Sequence, residues 1–144
     1  MAPVDREKLR SHLDHLRGDL RRLERIRDEG RATFLDDEVS QAAATRWLQT
    51  AVEAMIDIAN HVIAREGLGV PRAYADSMEI LIRDGVLPAD HRDSLVAMVR
   101  FRNRVVHLYD EVDAEDIWDI IDRDLGDFET FMAAIVDRYF GDRA

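Results

Sequence analysis

The sequence predicts an all-α fold, and three observations lead there. Apolar residues recur at three- and four-residue steps through most of the chain. Its three prolines, Pro3, Pro71 and Pro88, all fall outside those periodic runs. No segment alternates apolar and polar residues as a half-buried strand would. The expectation is an up-and-down helical bundle of about five helices, with residues 1–144 forming a single domain.

The first helix is expected from about Asp5 to Asp28, where Leu9, Leu13, Leu16, Leu20, Leu23 and Ile26 make one stripe and Gly30 marks the end. A second begins near Asp36 or Asp37, either of which can cap it, and carries Trp47, Leu48, Ala51, Val52, Met55, Ile58, Ala59 and Val62 up to Gly67. A short third helix covers roughly Ala73 to Arg83 and stops at Gly85. Pro88 is placed in the first turn of a fourth, where its missing N–H costs nothing, and that helix runs through Tyr109. Asp113 and Asp116 resemble a cap for a fifth helix, with Ile117, Ile120, Ile121, Phe128, Phe131, Ile135 and Tyr139 on its apolar side.

Composition narrows the chemistry. A chain of 144 residues is long enough to bury a core without staples. It has no cysteine, which excludes disulfides, thiolate metal sites and thiol catalysis. Charge appears from the fifth residue, no stretch approaches the roughly 20 apolar residues of a membrane span, and a cytoplasmic location without membrane contact is expected. Twenty Lys and Arg against 30 Asp and Glu leave a net charge of −10, which weighs against a broad nucleic-acid-coating face and suits a protein partner. A small basic site on that acidic body remains compatible with the count. There is no phosphate-binding glycine loop, and neither a cofactor nor a metal is expected.

The chemistry concentrates in the stretch MVRFRNRVVHLYDEVD, which holds Arg102, Asn103, His107 and Tyr109 within eight residues. At about 100° per residue, Phe101, Val105, Leu108 and Val112 form the expected core stripe, with Asn103, His107 and Asp110 on the far side. Arg102 and Tyr109 flank that polar face. Val99 and Val106 are expected on the same patch, covered by a second copy of the chain. A permanently charged guanidinium beside a side chain that titrates near neutrality suits phosphate binding and proton transfer. The residue types alone also fit a surface histidine favoured by a helix C-terminus and an arginine paired with a nearby aspartate.

Arg-x4-His, with Asn directly after Arg and Tyr two residues after His, resembles the signature of the HEPN superfamily. More narrowly, the chain is similar to the HepT toxins of HEPN–MNT toxin–antitoxin modules. Trp47 to Asn60, the GLGVPRAYADSMEIL segment and VDAEDIWDII share the likeness, which covers about residues 5 to 140. Arg100 stands where a small residue is usual, and Arg100-x6-His107 also satisfies the loose motif; Asn103 assigns the motif arginine to Arg102.

The resemblance implies a HEPN-like homodimer and a type VII toxin, a metal-independent endoribonuclease acting on tRNA or mRNA. In it, Arg102 would bind phosphate, His107 would move protons and Asn103 would hold one or the other in place. Arg100 and Arg104 could add phosphate attraction, and Glu53 or Asp57 could position Arg102. A nucleotidyltransferase antitoxin of the MNT type is the implied partner, adding AMP to Tyr109. The alternative is a non-catalytic HEPN-like dimer serving as binding or regulatory partner of that nucleotidyltransferase. Two smaller features stand apart from the likeness. His12, His15 and Asp19 have a spacing able to hold a metal, though a charged outer face accounts for them better. Trp47 and Trp118 read as core or interface residues rather than base-stacking platforms.

Overall fold

A computed structural model describes residues 3–107 and 113–141, apart from the side chains of Asn103, Val105, Val106 and His107. The described residues contain seven α-helices, one 3-10 turn and no strand. The all-α expectation holds, with more breaks than the five helices read from periodicity.

Helix α1 (Arg6–Glu29) starts at Asp5, whose carboxylate accepts from the Lys8 N–H at 3.1 Å and satisfies a donor that the helix leaves open. All six apolar residues of its stripe are buried, Leu9, Leu16 and Leu23 completely. Each such leucine stabilises the fold by about 1.5–3 kcal/mol relative to an exposed one. At Gly30 (φ 98°) the chain turns into α2 (Arg31–Leu35), a single turn whose Phe34 packs its ring 5.6 Å from that of Trp118.

Helix α3 (Glu38–Glu66) is capped by Asp37 rather than Asp36, its carboxylate accepting from the Val39 and Ser40 N–H groups. Ala44, Leu48, Ala51, Val52, Met55, Ile58, Ala59 and Val62 are all buried, too many for one stripe, so the helix is wrapped on several sides. It lies antiparallel to α1, since Asp5 meets His61, Asp19 meets Thr50 and Arg22 meets Trp47. Gly67, left-handed at φ 64° and ψ 41°, ends it with its N–H on the Ile63 carbonyl.

Helix α4 (Tyr74–Arg83) opens on Asp76, whose carboxylate accepts from the backbone N–H groups of Arg72 and Ala73. Pro88 precedes a 3-10 turn (Ala89–His91), and α5 (Arg92–His107) starts only after it, so the proline does not open the α-helix itself. Helices α4 and α5 run antiparallel: Glu79 pairs with Arg92 at one end, and Tyr74 meets Arg102 at the other. The expected fifth helix is two. α6 (Ala114–Arg123), capped by Asp113 on the Asp116 N–H, gives way at Asp124 to α7 (Leu125–Phe140). Trp118 is buried and Trp47 half-buried. No helix among the described residues is long and apolar enough to cross a membrane.

Candidate functional site

Register on α5 decides what each of its charged residues meets. Leu95, Val99 and Arg102 recur at four and three residues, so they share one line of the helix. Leu95 and Val99 are completely buried inside the chain itself, which corrects the expectation that Val99 lies on an outer patch awaiting a second copy. Phe101 is buried on the neighbouring line. Arg102 therefore continues a core-facing line, and it emerges where α5 meets the edges of α3 and α4.

There its side chain, 15% exposed, is held from two helices. The Nη2 group donates to Glu53 Oε2 at 2.9 Å, and the guanidinium carbon lies 5.0 Å from the centre of the Tyr74 ring. Glu53 Oε2 also accepts from Gln49 Nε2 at 3.4 Å, one turn earlier on α3. An ion pair this sheltered trades desolvation against attraction, so its clearest effect is on orientation rather than stability. Carboxylate and aromatic face together leave the guanidinium few rotamers, and a planar fork fixed in this way is able to pair with an anion.

Glu53 belongs to a polar line along α3, with Gln49, Asp57 and Asn60 at successive turns. Asn60 Oδ1 accepts from the Ser77 hydroxyl at 2.6 Å, which satisfies a side chain that is completely buried. Asp57 is exposed and makes no hydrogen bond or ion pair among the described residues. Arg100 and Arg104 sit on the opposite side of α5, both exposed, the latter 3.9 Å from Asp116. Asn103 and His107 are residues of α5, but their side chains, and Tyr109 altogether, lie outside the described residues.

Tyr74 had no signal in the sequence as a site residue. It stands 28 positions before Arg102 on another helix, and no spacing rule links the two. Asp19 also differs from expectation. It is buried, accepting from Thr50 Oγ1 at 2.6 Å and from Arg22 Nη1 at 3.3 Å, with His15 Nε2 at 3.6 Å. That makes it a joint between α1 and α3 rather than part of a charged outer face. No cluster of three or more metal-ligating side chains occurs among the described residues.

A sequence model of proteins described as ribonuclease HepT-like matches residues 16–135. This chain belongs to that family. The matched span contains all of α5 and the Arg102-to-Tyr109 stretch. An mRNA nuclease HepT from Shewanella oneidensis is 32% identical over 116 residues, which is 81% of this chain and 86% of that protein. A toxin–antitoxin crystallised with AMP-PNP superposes with a TM-score of 0.83 at 28% identity, covering 90% of this chain and 97% of the other. A tri-AMPylated HEPN toxin of Shewanella oneidensis, solved in complex with its MNT antitoxin, gives 0.82 at 29% identity, covering 89% and 96%. The helical fold and the ribonuclease class implied by the resemblance are those of the HepT-like family.

Proposed function

We propose that this HepT-like chain is the toxin of a type VII toxin–antitoxin module, a metal-independent endoribonuclease restrained by a nucleotidyltransferase. The observation that carries the reading furthest is the anchoring of Arg102 by Glu53 and Tyr74, at the start of the Arg-x4-His stretch. A guanidinium held this way cannot lose its charge and need not reorganise when negative charge builds on phosphorus.

Cleavage without a metal needs a base to take the 2′-hydroxyl proton and an acid to protonate the departing 5′-oxygen. The 2′-oxygen then bonds to phosphorus as the 5′-oxygen leaves, giving a 2′,3′-cyclic phosphate. His107 has the right ordinary pKa, roughly 6.5, for either proton role. One chain supplies one such histidine, so a homodimer presenting His107 twice completes the pair. Asn103 holds the imidazole or the phosphate by hydrogen bonding. AMP on Tyr109 would set a bulky anion beside the phosphate site, which explains restraint by electrostatics and volume together. The absence of a membrane-spanning helix among the described residues fits action in the cytoplasm, where RNA is found.

The net charge of −10 favours a second reading, a non-catalytic dimer that docks on the nucleotidyltransferase. Induced expression separates them. Wild type is expected to arrest growth, while Arg102→Ala and His107→Ala at matched soluble levels do not. Equal behaviour of all three, with the folded protein present, would replace the ribonuclease reading with the docking one.

A further inference from the structure

The outer face of α5 carries a second arrangement, away from the Arg102 anchor. A surface groove of about 340 Å³ is lined by Arg92, Arg100 and Arg104 over a floor that includes Val96, Ala97 and Phe101. It runs into a pocket of about 470 Å³ between α3, α5, α6 and α7, and the two share Asp93, Ala97, Phe101 and Arg104. The pocket walls are apolar: Leu48, Val52, Met98, Phe101, Ile120 and Phe128. Its polar edge is acidic, formed by Asp93, Asp124 and Asp127.

The three arginines are not equivalent. Arg92 is committed to Glu79 and Asp93. Arg104 reaches Asp116 only at 3.9 Å, with both side chains about half exposed, a contact worth little in water. Arg100 is exposed and makes no ion pair or hydrogen bond among the described residues. In a chain of net charge −10, two adjacent cations with loose or no partners form a local anion site rather than a general coating. Beside them is a pocket with an aromatic wall and the Asp124 carboxylate at its edge, while Asp93 is paired with Arg92 and Asp127 lies 3.7 Å from His91 Nδ1. Cations on one side and an apolar slot with an acceptor on the other match the two halves of a nucleotide. Register adds direction: Arg100 lies two turns before His107 on the same line of α5, about 10 Å along the axis.

We propose that this joined groove is a subsite for one nucleotide flanking the scissile bond, with Arg100 and Arg104 on its phosphate and the apolar pocket around its base. The assignment rests on the ribonuclease reading. It makes the groove a source of affinity and base preference, separate from the chemistry at Arg102 and His107. Burial, with Asp127 close by, raises the Asp124 pKa.

The test uses a short single-stranded RNA with 2′-O-methyl groups, which binds and is not cut, titrated against wild type, Arg100→Gln/Arg104→Gln and Ala97→Trp. Ala97 is exposed, so tryptophan there obstructs both grooves without entering the core. The arginine pair is expected to weaken binding about tenfold. It should also lower the slope of log affinity against log salt by roughly 0.7 per lost phosphate contact. Ala97→Trp is expected to weaken binding with the slope unchanged. With the same RNA carrying free 2′-hydroxyls, both losses should fall on KM more than on kcat. Wild-type affinity and slope in both variants, with their melting temperatures intact, would overturn the subsite while leaving the ribonuclease reading standing. So would loss of nucleotidyltransferase binding with RNA binding unaltered, which would make the face a protein-docking surface. Failure of wild type to bind RNA at all would overturn the ribonuclease reading together with the subsite.

Discussion

Arg100 and Arg102 stand two residues apart on one helix and share little but their charge. Two residues turn the helix by about 200°, so one side chain faces solvent while the other continues the buried line of Leu95 and Val99. Arg102 is anchored by Glu53 and Tyr74, whereas Arg100 is exposed above an open groove. Anchoring suits a cation that must meet one developing charge in one place, and freedom suits one that captures a flexible polyanion. The contrast shows that the role of a charge on a helix is set by register rather than by sequence proximity.

The largest effect expected from this contrast is on turnover. Arg102→Lys keeps the charge and loses the planar fork, so RNA cleavage should fall by about 10²–10³ at saturating substrate. Arg100→Gln should instead act mainly through KM. Equal losses in kcat from the two would erase the distinction. Glu53→Gln comes next: it keeps the shape and removes the charge that orients Arg102, and a drop of about tenfold in kcat is expected. In an Arg102→Ala background the same change should add little further loss, because its effect travels through the arginine. A full additional tenfold there would mean that Glu53 acts on something else.

Stability offers a third comparison, between Glu53 and Asp19, two carboxylates in the α1–α3–α5 region with different jobs. Asp19→Ala removes a buried acceptor of Thr50 and Arg22, and should cost about 1–3 kcal/mol in urea unfolding while activity per folded molecule is kept. The smallest effect concerns His61. Burial first, then the charges of Arg65 and Lys8, lower its pKa, and its neutral Nε2 accepts from the Asp5 N–H at 2.9 Å. The folded-state pKa lies below the unfolded value, so this stability is fully present above about pH 6.5 and is lost as pH falls through the folded value. The melting temperature should therefore decline slightly from pH 7.5 to 5.5, and His61→Gln should flatten that part of the curve.

Much of this fold was legible because α1 and α3 advertise their limits: a regular leucine stripe in one, and Asp37 and Gly67 as caps in the other. The break at Asp124 was not legible. Ile121, Leu125 and Phe128 keep helical spacing across it, no proline stands there, and the nearby Gly126 lies inside α7 rather than at the turn. α2 is too short for any period to show. On α5 the apolar residues Leu95, Val96, Met98, Val99 and Phe101 are all buried, so a narrow stripe chosen from the sequence missed part of the true core face and misplaced Val99. At the site, Arg102 was visible as a motif residue and Glu53 as a polar interruption of an apolar helix. Tyr74 was not, because only the antiparallel packing of α4 on α5 brings it beneath the guanidinium.

The most direct test of the central claim is cleavage of a defined single-stranded RNA by the purified chain in excess chelator, wild type beside His107→Ala. Products ending in 2′,3′-cyclic phosphate are expected from wild type and none from the variant. Undiminished cleavage by His107→Ala, or cleavage by wild type only when a divalent metal is restored, would contradict it.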